Sequence, residues 1–153
     1  MTSDEVQVRT DAVRALDAEF GVLITHMRRL IADNAQRVSE GMLPGAYKVF
    51  TTIARRERVS QSALADILMV DKGQLSRTVR ELEQLGLIRR DADPTDGRAM
   101  ILSATEFGLE RLKRARLPQE DTLVGALEQW PLDDIRTLTR LLHTLTADTK
   151  LPG

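Results

Sequence analysis

The chain has 153 residues, 42% of them apolar and 29% charged, with no cysteine and a formal net charge of −1. That balance excludes a disordered chain, and the missing cysteine excludes disulfides, thiolate metal sites and thiol-based redox sensing. No apolar run approaches the ~20 residues of a membrane span, and the charged first twenty residues lack a signal-peptide core, so the sequence reads as one cytoplasmic domain spanning residues 1–153.

Charge is uneven along the chain. Residues 48–98 hold ten Lys/Arg against eight Asp/Glu, while the rest holds twelve against fifteen. A mildly basic middle is a weak pointer to nucleic acid, and the positions of the charges matter more.

Apolar residues from Val13 to Val38 (Leu16, Phe20, Leu23, Ile24, Met27, Leu30, Ile31) recur at helical spacing, predicting a long helix that ends near Gly41 and Pro44. A second helix runs from Pro44 to Arg56 with Ala46, Val49, Phe50 and Ile53 inward. Ser60 is an N-cap for a short helix through Ala63, Leu64, Ile67 and Leu68. Asp71 then caps a helix with Leu75, Val79, Leu82 and Leu85 on one face, stopped by Gly86. Leu87–Arg90 reads as a strand, Asp93–Gly97 as a tight turn and Ala99–Leu102 as the returning strand. A helix-turn-helix pair followed by a two-stranded wing is a winged helix.

After the wing the chain is helical again. Ser103 and Glu106 have capping-box spacing, with Thr105 a competing cap. Pro118 is expected to kink or break this helix. A last helix from Pro131 carries Leu132, Ile135, Leu138, Leu141, Leu142 and Leu145 in one stripe, which suits dimerisation because a domain of this size has little internal use for it. The first few residues and those after Ala147 are expected to fray.

The chemistry concentrates between Ser60 and Arg98. The second helix of the pair presents Lys72, Gly73, Gln74, Ser76, Arg77 and Arg80 away from its apolar face. Gln, Arg and Ser are side chains that pair with base edges in a major groove. Gly73 would let the backbone approach a phosphate, and Ser60, Gln61 and Ser62 open a helix whose free amides suit an anion. Arg98 lies in the returning arm of the wing, with Arg89 and Arg90 in the outgoing strand, and an Arg so carried can enter a narrow minor groove. Asp96 either holds Arg98 in place or is an ordinary turn acid.

The runs Asp71-Lys72-Gly73-Gln74-Leu75-Ser76-Arg77, Leu82-Glu83-Gln84-Leu85-Gly86-Leu87-Ile88-Arg89-Arg90 and Asp93-Pro94-Thr95-Asp96-Gly97-Arg98-Ala99 resemble the recognition helix and wing of the MarR family of bacterial regulators. Ala104 before Thr105 and Trp130 before Pro131 depart from that pattern outside the DNA-facing motifs. The resemblance implies a mainly α fold with a small β-wing: a DNA-binding lobe over 45–103, and dimerisation helices over 11–40 and 104–148. It further implies Gln74, Ser76 and Arg77 in the major groove, Arg98 in the minor groove, and Ser60 and Ser62 on phosphates. The partners implied are an inverted-repeat operator in double-stranded DNA, a second copy of the chain, and a small phenolic or carboxylate ligand that relieves repression. His26, Met27, Arg29 and Leu30 on the first helix, with Tyr47 and Phe50 on the second, are the candidate pocket residues, each also readable as packing or surface.

Other classes find little support. His26 and His143 are the only histidines and lie far apart, so no metal or cofactor is expected. No nucleophile elbow, phosphate loop or dinucleotide fingerprint is present, and Glu81, Glu83, Asp133 and Asp134 read as surface charges. The competing reading is a winged helix that binds protein without reading DNA sequence.

Overall fold

Residues 2–148 are described by a computed structural model, in the order α1 (Ser3–Val38), α2 (Pro44–Arg56), β1 (Val59–Ser60), α3 (Gln61–Leu68), α4 (Lys72–Gln84), β2 (Ile88–Ala92), β3 (Met100–Ala104), α5 (Glu106–Leu127) and α6 (Leu132–Asp148). The helix starts follow side-chain chemistry. The Ser60 hydroxyl accepts from Ala63 N at 3.1 Å, and the Asp71 carboxylate accepts from Gln74 N at 2.9 Å. Each satisfies an amide that the first turn leaves free.

Helix α1 begins ten residues before the predicted Val13. Thr2 and Glu5 close a capping box, the Glu5 carboxylate accepting from Thr2 N at 2.7 Å and the Thr2 hydroxyl from Glu5 N at 3.3 Å. The N-terminal segment is therefore helical from Ser3. The expected fraying after Ala147 falls mostly outside the described residues, since α6 runs to Asp148.

The core lies in the winged lobe. Phe50 and Ile53 of α2, Leu64 of α3, Leu75, Val79 and Leu82 of α4, and Leu87, Ile88 and Leu102 around the sheet are fully buried together. The sheet has three strands in the order β1-β3-β2, both pairs antiparallel, with Val59 and Arg90 flanking Leu102. The predicted two-stranded wing thus gains Val59–Ser60, and its strands sit slightly later than expected, ending at Ala92 and Ala104. A two-residue strand carries no alternation of its own, and pairing with β3 creates it. Between α4 and β2, Gly86 adopts φ +74 while Leu87 N donates to Leu82 O and Gly86 N to Glu83 O. This left-handed turn ends α4 and reverses the chain into the wing.

Two expectations for α5 are corrected. Thr105, not Ser103, is its cap, accepting from Gly108 N at 2.9 Å, because Ser103 is held in β3 opposite Arg89. Helix α5 also continues through Pro118. Contacts to α1 on both sides of the proline keep it in line: Arg111 donates to Val38 O at 2.9 and 2.6 Å, and Asn34 donates to Gln119 at 2.6 Å. The guanidinium at the C-terminus of α1 also complements the carbonyl end of the helix dipole.

Among the described residues, the rest of the long helices is left uncovered. No residue of α1 before Asn34 is buried, nor is any described side chain of α6. Leu16, Leu23, Ile24, Leu123, Val124, Leu132, Leu138, Leu141 and Leu142 are all exposed.

Candidate nucleic-acid interface

Helix α4 is held by its apolar face and leaves the opposite face open. Leu75, Val79 and Leu82 are buried, while Lys72, Gly73, Gln74, Arg77 and Arg80 are exposed and Ser76 is half-buried. The Asp71 cap fixes the first turn of that face. Gly73 has a local reason as well: a Cβ there would meet the Asp71 carboxylate at 3.0 Å, so its absence leaves the cap its position.

On one side of α4, a cleft of about 370 Å³ is bounded by Gln61 and Ser62 of α3, Lys72 and Leu75 of α4, and Arg90, Arg98 and Met100 of the wing. It holds three basic side chains and no acid. Among the described residues, Lys72, Arg77, Arg80 and Arg98 are in no ion pair. Free cations beside helix-start amides are the groups that bind phosphate.

The wing arginines divide by partner. Arg90 pairs with Glu83 at 2.9 Å and so ties β2 to the end of α4. Its Nε is buried without a partner. Arg89 donates to Ser103 at 3.2 Å and lies 3.3 Å from Asp91. Among the described residues, Arg98 alone of the three has no side-chain partner for its guanidinium. Asp96 does support Arg98, through its backbone: the Asp96 carboxylate accepts from Arg98 N at 3.1 Å and leaves the guanidinium free. Asp93 organises the same turn, accepting from the Thr95 amide at 2.9 Å and the Thr95 hydroxyl at 2.8 Å. Those donors, the amide first, hold the Asp93 carboxyl below the usual carboxylate range.

A second cavity, about 1020 Å³, lies where α1, α2 and α5 meet, with Met27, Arg28 and Ile31, then Tyr47, Lys48 and Arg55, then Arg116 and Glu120 on its walls. Of the sequence-derived pocket residues, Met27 and Tyr47 line it. His26, Arg29 and Leu30 do not. Phe50 is wholly buried in the core, because its turn of α2 faces α4 and the sheet. The lining cations Arg28, Lys48, Arg55 and Arg116 escaped the sequence reading. Lys48 and Arg55 are seven residues apart on the polar face of α2, a spacing that marks them in retrospect.

With this geometry in view, comparison with known proteins is decisive. Residues 40–99, from the end of α1 to the wing, match the MarR family. A protein of Thauera aromatica, provisionally named a transcriptional regulatory protein for the hcr operon, is 36% identical over 114 residues, 65% of this chain and 69% of its own length. This chain belongs to the MarR family. Solved MarR structures share the fold. Apo wild-type MarR from E. coli superposes with a TM-score of 0.65 at 21% identity, covering 84% of this chain and 95% of that one. A mutant MarR from E. coli complexed with operator DNA gives 0.62 at 21% identity, covering 89% and 96%. As a MarR-family member, the chain is a winged-helix transcriptional regulator and not an enzyme. No helix among its described residues is long and apolar enough to cross a membrane.

Proposed function

We propose that the chain is a cytoplasmic, homodimeric regulator that reads an inverted-repeat operator and represses transcription until a small molecule relieves it. Gln74, Ser76 and Arg77 meet base edges, Arg98 enters a minor groove, and Gln61, Ser62 and Lys72 hold phosphates. The observation that carries this reading is the acid-free cleft at the foot of α4, where three basic side chains converge beside the exposed face of the helix. The MarR of E. coli complexed with operator DNA supports it by shared fold. Dimerisation through α1, α5 and α6 rests on their long exposed apolar faces, and two-fold symmetry sets two recognition helices ~10 base pairs apart. The cavity between α1, α2 and α5 is the place for the ligand, since it touches both the dimerisation helices and the winged lobe.

The test is a gel-shift titration on the DNA upstream of the chain's own gene, at several salt concentrations and with excess unrelated DNA. Retention of one fragment bearing an inverted repeat is the expected result. Equal loss of all fragments to competitor leaves the other reading, a winged helix that docks on protein.

A further inference from the structure

We propose that the cavity between α1, α2 and α5 takes an elongated organic anion with a negative group at each end, and that Lys48 passes its occupancy to the recognition helix. The proposal rests on the reading of the chain as a ligand-relieved regulator, and deepens it. Four basic side chains line the cavity, Arg28, Lys48, Arg55 and Arg116, against one acid, Glu120. None of the four is in an ion pair among the described residues, so their charge is available to a ligand. Lys48 and Arg55 are two helical turns apart, on one face of α2 and ~10 Å from each other along its axis. Thr51 stands between them on α2, and the same cavity is walled by the apolar Met27 and Ile31 of α1 and the aromatic Tyr47 of α2. A compact monoacid neutralises one end of such a site and leaves the other unpaired. A rod with two acid groups answers both, and its middle covers the apolar wall.

Lys48 has a second position. It also borders a cleft of about 250 Å³ between α2 and the underside of α4, together with Gln74, Thr78 and Glu81. Gly45 and Lys48 are common to both spaces. An ammonium on a flexible four-carbon stem can serve either side. Lys48 and Glu81 border that cleft without forming an ion pair, so the ammonium is free to swing to either side, and an anion in the cavity draws its charge away from the recognition helix. Two binding sites that compete for one charge are coupled by that charge.

The experiment uses the full chain and two probes, biphenyl-4,4′-dicarboxylate and biphenyl-4-carboxylate. By calorimetry the diacid binds about tenfold more tightly than the monoacid, as one added charge-assisted contact gives, and Arg55→Gln removes that preference. Saturating diacid weakens binding of the wild-type protein to its upstream DNA. Lys48→Gln binds the same DNA more weakly from the outset, as the diacid-bound wild-type protein does, and saturating diacid changes it no further. Glu81→Gln keeps diacid binding, because the cavity bases remain, and loses the response. Equal affinity for the two acids, binding of neither, or a full response in Lys48→Gln overturns the proposal. Failure of the wild-type protein to bind its upstream DNA, with the diacid preference intact, overturns the regulatory reading and leaves the ligand class supported.

Discussion

Gly108 lies against the backbone of Leu87 so closely that a Cβ on it would overlap the Leu87 carbonyl oxygen and come within 2.9 Å of the carbonyl carbon. Thr105 locks the same junction, donating its hydroxyl to Gly86 O at 2.5 Å and its amide to Leu87 O at 3.0 Å. The first turn of α5 is thereby seated on the hinge between α4 and the wing. Gly108→Ala must push backbone against backbone, with no flexible side chain to yield. The expected cost is about 3 kcal/mol, seen as a fall in melting temperature of roughly 10 °C. A melting temperature within about 2 °C of wild type, the size of a surface effect, contradicts this packing.

Leu138 and Leu142 stand exposed on the apolar stripe of α6, which no other described element covers. Leu142→Asp sets a charge in the proposed dimer contact and should give monomer or insoluble protein, because burying an unpaired carboxylate costs several kcal/mol. Sedimentation of wild type and variant at micromolar concentration decides it. A wild-type monomer rules out the dimer.

Arg77 and Lys72 share the exposed face of α4, and the proposed function gives them different tasks. Arg77→Ala should cost about 1–3 kcal/mol on the operator and relax preference at one base pair per half-site. Lys72→Ala should weaken all sequences alike and lower the salt slope by about one contact per chain. Arg98→Ala should likewise flatten the salt slope, through the wing. A half-site substitution series, with melting temperatures of the same variants, separates base reading from bracing of the helix. Loss of stability with base preference unchanged removes Arg77 from the reading role.

The Asp93–Thr95 turn gives a pH signature. The folded carboxyl is held below its ordinary value by the Thr95 amide and then the Thr95 hydroxyl. Its contribution is therefore present above the unfolded pKa of about 3.9, and is lost as pH falls through the lower folded value. Carboxyl-carbon NMR should place the Asp93 midpoint below that of a free aspartate, with the Thr95 amide moving in the same titration. Thr95→Ala should raise the midpoint, and an unmoved midpoint dismisses the hydroxyl's part in the turn.

The amino-acid sequence by itself determined the order of helices in the winged lobe, because those signals are local. Ser60 and Asp71 are caps wherever they precede a helix. Gly86 supplies a positive φ that other residues resist, and the apolar period fixes which face of α4 turns outward. That Lys72, Gln74, Arg77 and Arg80 are exposed on that face follows from spacing alone. What only the tertiary structure decided involves partners distant in sequence. Val59 and Ser60 become a strand because β3 lies beside them, and α5 passes through Pro118 because Arg111 and Gln119 bind α1 on either side of it. The cavity residues belong to the same class. His26, Arg29 and Leu30 share a helix with the lining residues, but the packing of α2 and α5 on α1 selects Met27, Arg28 and Ile31 instead, since a helical period gives the faces and only a neighbouring helix says which one is covered.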